Sequence, residues 1–261
     1  MVISLATTTK TALIVEYDGT HYYGFQLQAG LPTIQGKLEE ALQKLTGEHS
    51  RVMAASRTDT GVHAKGQVVN FRTKSPLPQQ TFIDGLNYYL PRDIAVRAAH
   101  RVGDSFNVRR DALSREYDYY ILNSQIRSPM REGFSYRVAR PLNTEAMNQA
   151  CQALIGEHDF ASFATRDGAR MENTVRTVYR AEVERDKELV IFKMVANSFL
   201  PHQVRNTTGA LISVGLGKMR FDEFFSITKA KTPGLAKPTA PACGLCLIQI
   251  NYPEPFNGST Q

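Results

Sequence analysis

Two stretches of this chain are near copies of one another. EEALQKLTGEH (Glu39–His49) aligns without gaps on NQACQALIGEH (Asn148–His158), 109 residues later, with six of eleven positions identical. Each is an amphipathic helical pattern stopped by a glycine, Gly47 or Gly156, and followed by Glu-His. Ile34, Leu38, Ala41, Leu42 and Leu45 share one face of the first helix, and Ala146, Met147, Ala150, Cys151, Leu154 and Ile155 one face of the second. Convergence of two amphipathic helices explains some identities, but the shared Leu-x-Gly-Glu-His tail favours a duplicated α/β unit. A chain of 261 residues is long enough for two such units. The expected division is 1–106 and 107–252, with 253–261 a loose tail.

The surrounding pattern fits this plan. Thr11–Tyr17 reads as a strand ended by Asp18-Gly19, and the first helix follows Pro32-Thr33 with Thr33 as N-cap. Further strands are expected at Arg51–Ala55, Gln67–Arg72, Ile94–Val102 and Arg115–Leu122, with a helix over Gln79–Tyr89. In the second half, Val175–Arg185 and Glu188–Ala196 alternate as a hairpin over Arg185–Lys187. Phe199–Leu216 reads as a helix with Pro201 in its first turn, and Leu245–Tyr252 as a closing strand. Locally paired strands with helices between them predict an α+β fold: two similar halves, antiparallel sheets backed by helices, related by a pseudo-twofold with a ligand cleft between them.

Composition narrows the function. No apolar run exceeds four residues, far short of the ~20 a membrane helix needs, and the opening MVISLATTTK lacks the basic start of a secretory signal. Three cysteines cannot staple a protein of this size, so a reducing, cytoplasmic setting is expected. The net charge is +6, carried by 20 Arg and only 11 Lys. Arg92 to Arg140 holds ten Arg, no Lys and six acids. Arginine binds phosphate bidentately and stacks on bases, so a polyanion is the favoured partner.

The chemistry concentrates in Ala55-Ser56-Arg57-Thr58-Asp59-Thr60-Gly61-Val62-His63-Ala64, between two strand-like runs. A carboxylate beside a guanidinium stays ionised and can attack carbon, as in glycosidic chemistry. The plainer reading is an Asx-turn at Asp59 braced by Arg57. SRTDTGVHAKGQVVNF, however, resembles the signature G-R-T-D-A-G-V-H-A-x-G-Q-V-x-x-F of the tRNA pseudouridine synthase A family. EYDGTHYYGFQLQ, RRDALSREYDYYILN, HDFASF, NSFLPHQVRNTTGAL and PACGLCLIQINY resemble five further blocks of that family, in its order, from Glu16 to Tyr252. Ser56, Thr60, Phe25 and Gln203 depart from the family's usual Gly, Ala, Trp and Met, and none of these replaces a reactive group.

The resemblance implies the pseudouridine synthase fold and isomerisation of uridine to pseudouridine in the anticodon stem-loop of tRNA, at positions 38, 39 and 40. It implies Asp59 as the essential carboxylate, attacking the sugar or assisting loss of its 2′ proton. It implies Arg57 holding the flipped nucleotide, Tyr117 as the active-site aromatic, Arg205 paired with Asp59, and Leu245 packed on the target base. It further implies a homodimer with tRNA across both subunits. The isomerisation needs no redox cofactor, nucleotide or metal, and the chain has neither a Walker loop nor a dinucleotide fingerprint.

Other features read as decoys. Thr165-Arg166-Asp167-Gly168 falls near the repeat partner of Thr58–Gly61 but lacks its motif, so a surface turn is expected. Cys243-x-x-Cys246 has no second cysteine pair, and strand alternation would put its two thiols on opposite faces. His63 reads as loop scaffold, and the Asn257-Gly258-Ser259 sequon as unused in a cytosolic chain. Two rivals remain: a non-catalytic RNA-binding protein, which would not need Asp59, and a metal-dependent RNA hydrolase using Asp59 with His63.

Overall fold

A computed structural model describes residues 8–165, 173–254, 256 and 258. The chain is α+β and divides into two compact units, one running to Leu113 and resuming at Leu247, the other spanning Ser114–Cys246. The first contains β1 (Thr9–Tyr17), α1 (Ile34–Thr46), β2 (Met53–Ala54), β3 (His63–Thr73), α2 (Gln79–Tyr89) and β4 (Ile94–Val102). The second contains β5 (Ser114–Leu122), β6 (Tyr136–Arg137), α3 (Thr144–Cys151), β7 (Gly156–Asp159), β8 (Val175–Asp186), β9 (Leu189–Ala196), α4 (Gln203–Gly215) and α5 (Phe221–Ala230). The last strand, β10 (Leu245–Asn251), starts in the second unit and enters the first at Leu247.

In the first unit β1 is the central strand, antiparallel to both β3 and β4. Ala12, Leu13, Ile14 and Val15 are at most 1% exposed, because both faces of this strand are covered. Thr33 caps α1 by accepting the Gly36 amide, and Gly47 ends it at φ 74°. Gly85 on α2 leaves room for the Leu45 side chain of α1, and Phe82 of α2 meets Phe71 of β3 edge-on at 5.6 Å.

The five-residue strand expected at Arg51–Ala55 shrinks to the two residues of β2. Side chains take the backbone groups that would have continued it. Glu39 accepts the Val52 amide and Gln35 donates to the Val52 carbonyl. Gln67 accepts from the Ser56 amide and donates to the Ser56 carbonyl.

In the second unit β5, β9, β8 and β7 form an antiparallel series, with β6 parallel to β5. The β8–β9 turn sits at Lys187-Glu188, one residue later than expected, with Lys187 at φ 55°. The second helix is shorter than its pattern predicted. α3 stops at Cys151 and tightens into a 3₁₀ turn over Gln152–Leu154. With three residues per turn, Ile155 swings outward to 40% exposure, although it was expected to face inward. The helix expected from Phe199 begins only at Gln203, so Pro201 lies outside it and His202, at φ 61°, is its N-cap. α5 was not expected; the Glu223 carboxylate accepting the Arg220 amide opens it, and Phe224 and Ile227 anchor it.

The repeat is visible in topology. In each unit a strand, a helix and two further strands follow in order, and the first strand pairs with the last, which pairs with the middle one: β1-β3-β2 and β5-β9-β8. Gly47 and Gly156 both have positive φ, which explains why the repeat keeps glycine there. The tail expected to be loose is anchored at Phe256, whose ring meets His100, Phe106 and Tyr252 at 5.2–5.4 Å. Asn257 and Arg166–Gly168 lie outside the described residues. No described helix is long and apolar enough to cross a membrane.

A close backbone approach supports α4. A Cβ on Gly209 would fall on the Pro238 carbonyl oxygen, far inside contact distance. Gly209→Ala is expected to cost about 1–3 kcal/mol, from overpacking outweighing the gain in helix propensity, read by urea unfolding.

Candidate active site

The loop between β2 and β3 carries Arg57 and Asp59, and the segment following β1 holds it on every side. Tyr17, 2% exposed, places its hydroxyl 2.8 Å from Thr58 Oγ1, and Gln67 Nε2 donates to the same hydroxyl. The Phe25 amide donates to the Thr58 carbonyl at 3.0 Å. The Gly61 amide donates to the Tyr22 carbonyl, and the Val62 amide closes a turn onto the Asp59 carbonyl at 3.1 Å. Gly61, at φ 76°, supplies the left-handed residue this turn requires. Asp59 is thus fixed between two backbone anchors, at Thr58 and Gly61.

Two glycines permit this docking. A Cβ on Gly24 (φ 83°) would lie 2.8 Å from the Thr58 carbonyl oxygen, and one on Gly19 would collide with that of Val62. His63, buried at the start of β3, lies 3.1 Å through Nδ1 from both the Gly19 amide and Asp18 Oδ1. His63 therefore ties the loop to β1, the scaffold role expected of it. Burial pushes the Asp18 carboxyl up, but the Thr20 donors and nearby His63 and His21 outweigh it, so its pKa lies below the ordinary value. Burial and the hydrogen bond to Asp93 push the Tyr22 phenol well above its usual range, keeping it a donor.

Arg57 is exposed and Asp59 half-buried within this unit. Tyr117, Arg205 and Leu245 belong to the second unit. Tyr117 is 5% exposed on β5 and meets Phe199 edge-on at 5.2 Å. Arg205, on the first turn of α4, donates from Nε to the Ala240 carbonyl at 2.9 Å, and its own carbonyl accepts the Ala240 amide. Leu245 opens β10 and is 6% exposed.

The HDFASF block explains how Arg205 is held. Ser162 Oγ accepts the Thr232 amide and the Ser162 carbonyl accepts that of Ala236. Asn206 donates to the Phe163 carbonyl and accepts from Thr239. Together these bonds fix the segment that presents Ala240 to Arg205. Tyr119 donates to the Pro241 carbonyl, and burial pushes its phenol well above the ordinary value.

The sequence pointed to candidate reacting residues but gave no role to Tyr17, Gly19, Tyr22, Gly24, Gln67, Ser162 or Asn206. The signal was available in part: EYDGTHYYGF supplies five of the groups that hold the loop. Gln67 stands at the glutamine of the signature block, but its role depends on β3 lying against the loop and could not be read from the motif.

Cys243 sits in a 3₁₀ turn rather than in a strand, so the expected strand alternation does not describe this pair; neither cysteine is in a disulfide. Among the described residues no group of three or more His, Cys, Asp or Glu side chains is placed to hold a metal ion.

A family model described as tRNA pseudouridine synthase matches residues 13–111 and 150–253. The chain belongs to this family. It is 42% identical over 240 residues to the tRNA pseudouridine synthase A of Thermoanaerobacter sp. (strain X514), covering 92% of this chain and 98% of that one. It is 40% identical over 247 residues to the tRNA pseudouridine synthase A of Legionella pneumophila (strain Corby), covering 95% and 94%. The first matched segment of this tRNA pseudouridine synthase model spans both the Asp59 loop and nearly all of the β1 segment that holds it.

Removing the Tyr17 hydroxyl leaves Thr58 and Gln67 short of a buried partner. Tyr17→Phe is expected to cost about 1–2 kcal/mol in urea unfolding and to speed amide exchange at Gly61 and Val62.

Proposed function

We propose that the chain isomerises uridine to pseudouridine on the 3′ side of the anticodon stem and loop of tRNA, with Asp59 as its essential carboxylate. The observation that carries this reading is the anchoring of residues 58–62, which fixes the backbone that bears Asp59, two residues along the chain from the exposed Arg57. A carboxylate that must meet one ribose carbon needs that preorganisation. A non-catalytic RNA-binding surface would gain nothing from it.

In the reaction the bond from ribose C1′ to uracil N1 breaks, the ring turns, and a C1′–C5 bond forms. C5 loses a proton and N1 gains one, so atoms balance without a co-reactant. Asp59 engages the ribose during this exchange. Extruding the base costs a few kcal/mol, and Arg57 offsets part of it by stacking or by binding phosphate in the vacated position. Tyr117 stacks on the extruded uracil and serves the proton transfer at C5. Arg205 supplies the counter-charge to Asp59, and Leu245 packs on the base. The reading includes a cytoplasmic homodimer, to be checked by light scattering.

Asp59→Asn is nearly isosteric. Pseudouridine formation is expected to fall below detection while tRNA affinity stays within about twofold, a change of ~0.4 kcal/mol; retained turnover would refute the assignment. Wild-type protein with tRNA carrying 5-fluorouridine at the target should form a stable adduct mapping to the peptide that contains Asp59. Tyr117→Phe is expected to slow turnover about 10²–10⁴-fold with binding spared, as for loss of a general acid–base group. Loss of binding alone would make Tyr117 a positioning residue.

A further inference from the structure

Two cavities of the first unit meet at Arg51 and Met53, beside the short strand β2. One, of about 190 Å³, is lined by Arg51, Arg57 and Arg109 together with Phe25, Gln26 and Met53. The other, of about 380 Å³, is lined by Lys10, Arg51 and Arg72 together with Met53, Phe71 and Phe106. Five cations thus face a continuous depression, and no carboxylate among the described residues lines either part of it.

The cations differ in what they can offer. Lys10 donates to the carbonyls of Asp104 and Phe106, which hold its ammonium charge in place. Arg109 is steadied by its Nε bond to the Ala54 carbonyl. Arg51 and Arg72 have side chains 60% and 49% exposed, each oriented from one side by a carboxylate, Glu39 at 3.4 Å and Asp104 at 2.8 Å. Met53 is 48% exposed on β2 and gives the floor an apolar patch.

On the reading above that the substrate is tRNA, we infer that this trough binds the sugar–phosphate backbone of the strand beside the target uridine, with Arg51 as its central contact. Guanidinium groups suit phosphodiester oxygens, and an exposed methionine suits a ribose or base face. An isolated small anion would need only the charges. Arg57 belongs both to the catalytic loop and to the trough wall, so a strand leaving that loop enters the trough directly. Of the five cations, only Arg109 lies in the Arg92–Arg140 stretch that composition singled out.

The test begins with wild-type protein, whose conversion of tRNA to pseudouridine is measured first; failure there counts against the proposed function. Binding of unmodified tRNA is then measured between about 50 and 200 mM salt. Arg51→Ala is expected to weaken binding several-fold and to lower the salt-dependence slope by about 1, the signature of one lost phosphate contact. Glu39→Gln keeps an oxygen for the Val52 amide but frees Arg51 of its counter-charge, so it is expected to tighten binding. Lys218→Ala, an exposed charge elsewhere, is expected to change neither quantity. If wild type converts tRNA but Arg51→Ala keeps the wild-type affinity and slope, the trough is not an RNA contact. Unchanged affinity in Glu39→Gln would overturn it equally, and that variant leaves the fold's hydrogen bonds in place.

Discussion

The site depends on one close approach: the backbone of residues 58–62 lying against the segment that follows β1. Two glycines make it possible and backbone hydrogen bonds hold it, so main-chain atoms set the position of the Asp59 backbone. Such a scaffold is stiff because each anchor is short in reach. Moving Thr58 by an ångström would break its bonds to Tyr17 and Phe25 together. Precision of that order is what a carboxylate acting on one carbon requires.

The two units share one strand topology, and only the first carries this loop. In the first unit eight residues separate β2 from β3; in the second, β8 and β9 are joined by the tight turn at Lys187. Topology therefore makes the β8–β9 turn the counterpart of the Asp59 loop. Thr165–Gly168, which a constant sequence offset had suggested, precedes β8 and is not its equivalent. The offset drifts because β7 and the segment after it intervene between α3 and β8.

Long, regular elements were legible in the sequence, and so was the motif that carries the proposed site residues. β1, α1, α2, β4 and β5 follow directly from periodicity and capping, since their patterns answer to burial alone. Two of the errors, at β2 and α4, share a cause: backbone groups satisfied by side chains outside the element's own pattern. β2 is short because Gln35, Glu39 and Gln67 take its flanking amides and carbonyls. α4 starts late because the Leu200 amide and Gln203 close their own turn ahead of it. Neither side chain announces such a bond in sequence. Motif resemblance proposed Asp59, Arg57, Tyr117, Arg205 and Leu245, but the residues that hold the Asp59 loop and Arg205, each within its own unit, emerged only when the strands were laid side by side.

The departures from the family pattern follow the same logic. Ser56 stands where glycine is usual, yet its amide and carbonyl are both held by Gln67 and its φ is not positive, so a side chain costs nothing there. Phe25 replaces tryptophan, but what the loop uses is its amide, and the smaller ring still packs 6.3 Å from Tyr17. Gln203 replaces methionine and is fully buried, a costly place for an amide. Its oxygen recovers part of that cost by accepting the Leu200 amide, which fixes the entry to α4 two residues before Arg205. A site built on main-chain anchors tolerates exchange of side chains around it, provided each substitute leaves the anchoring backbone where it was.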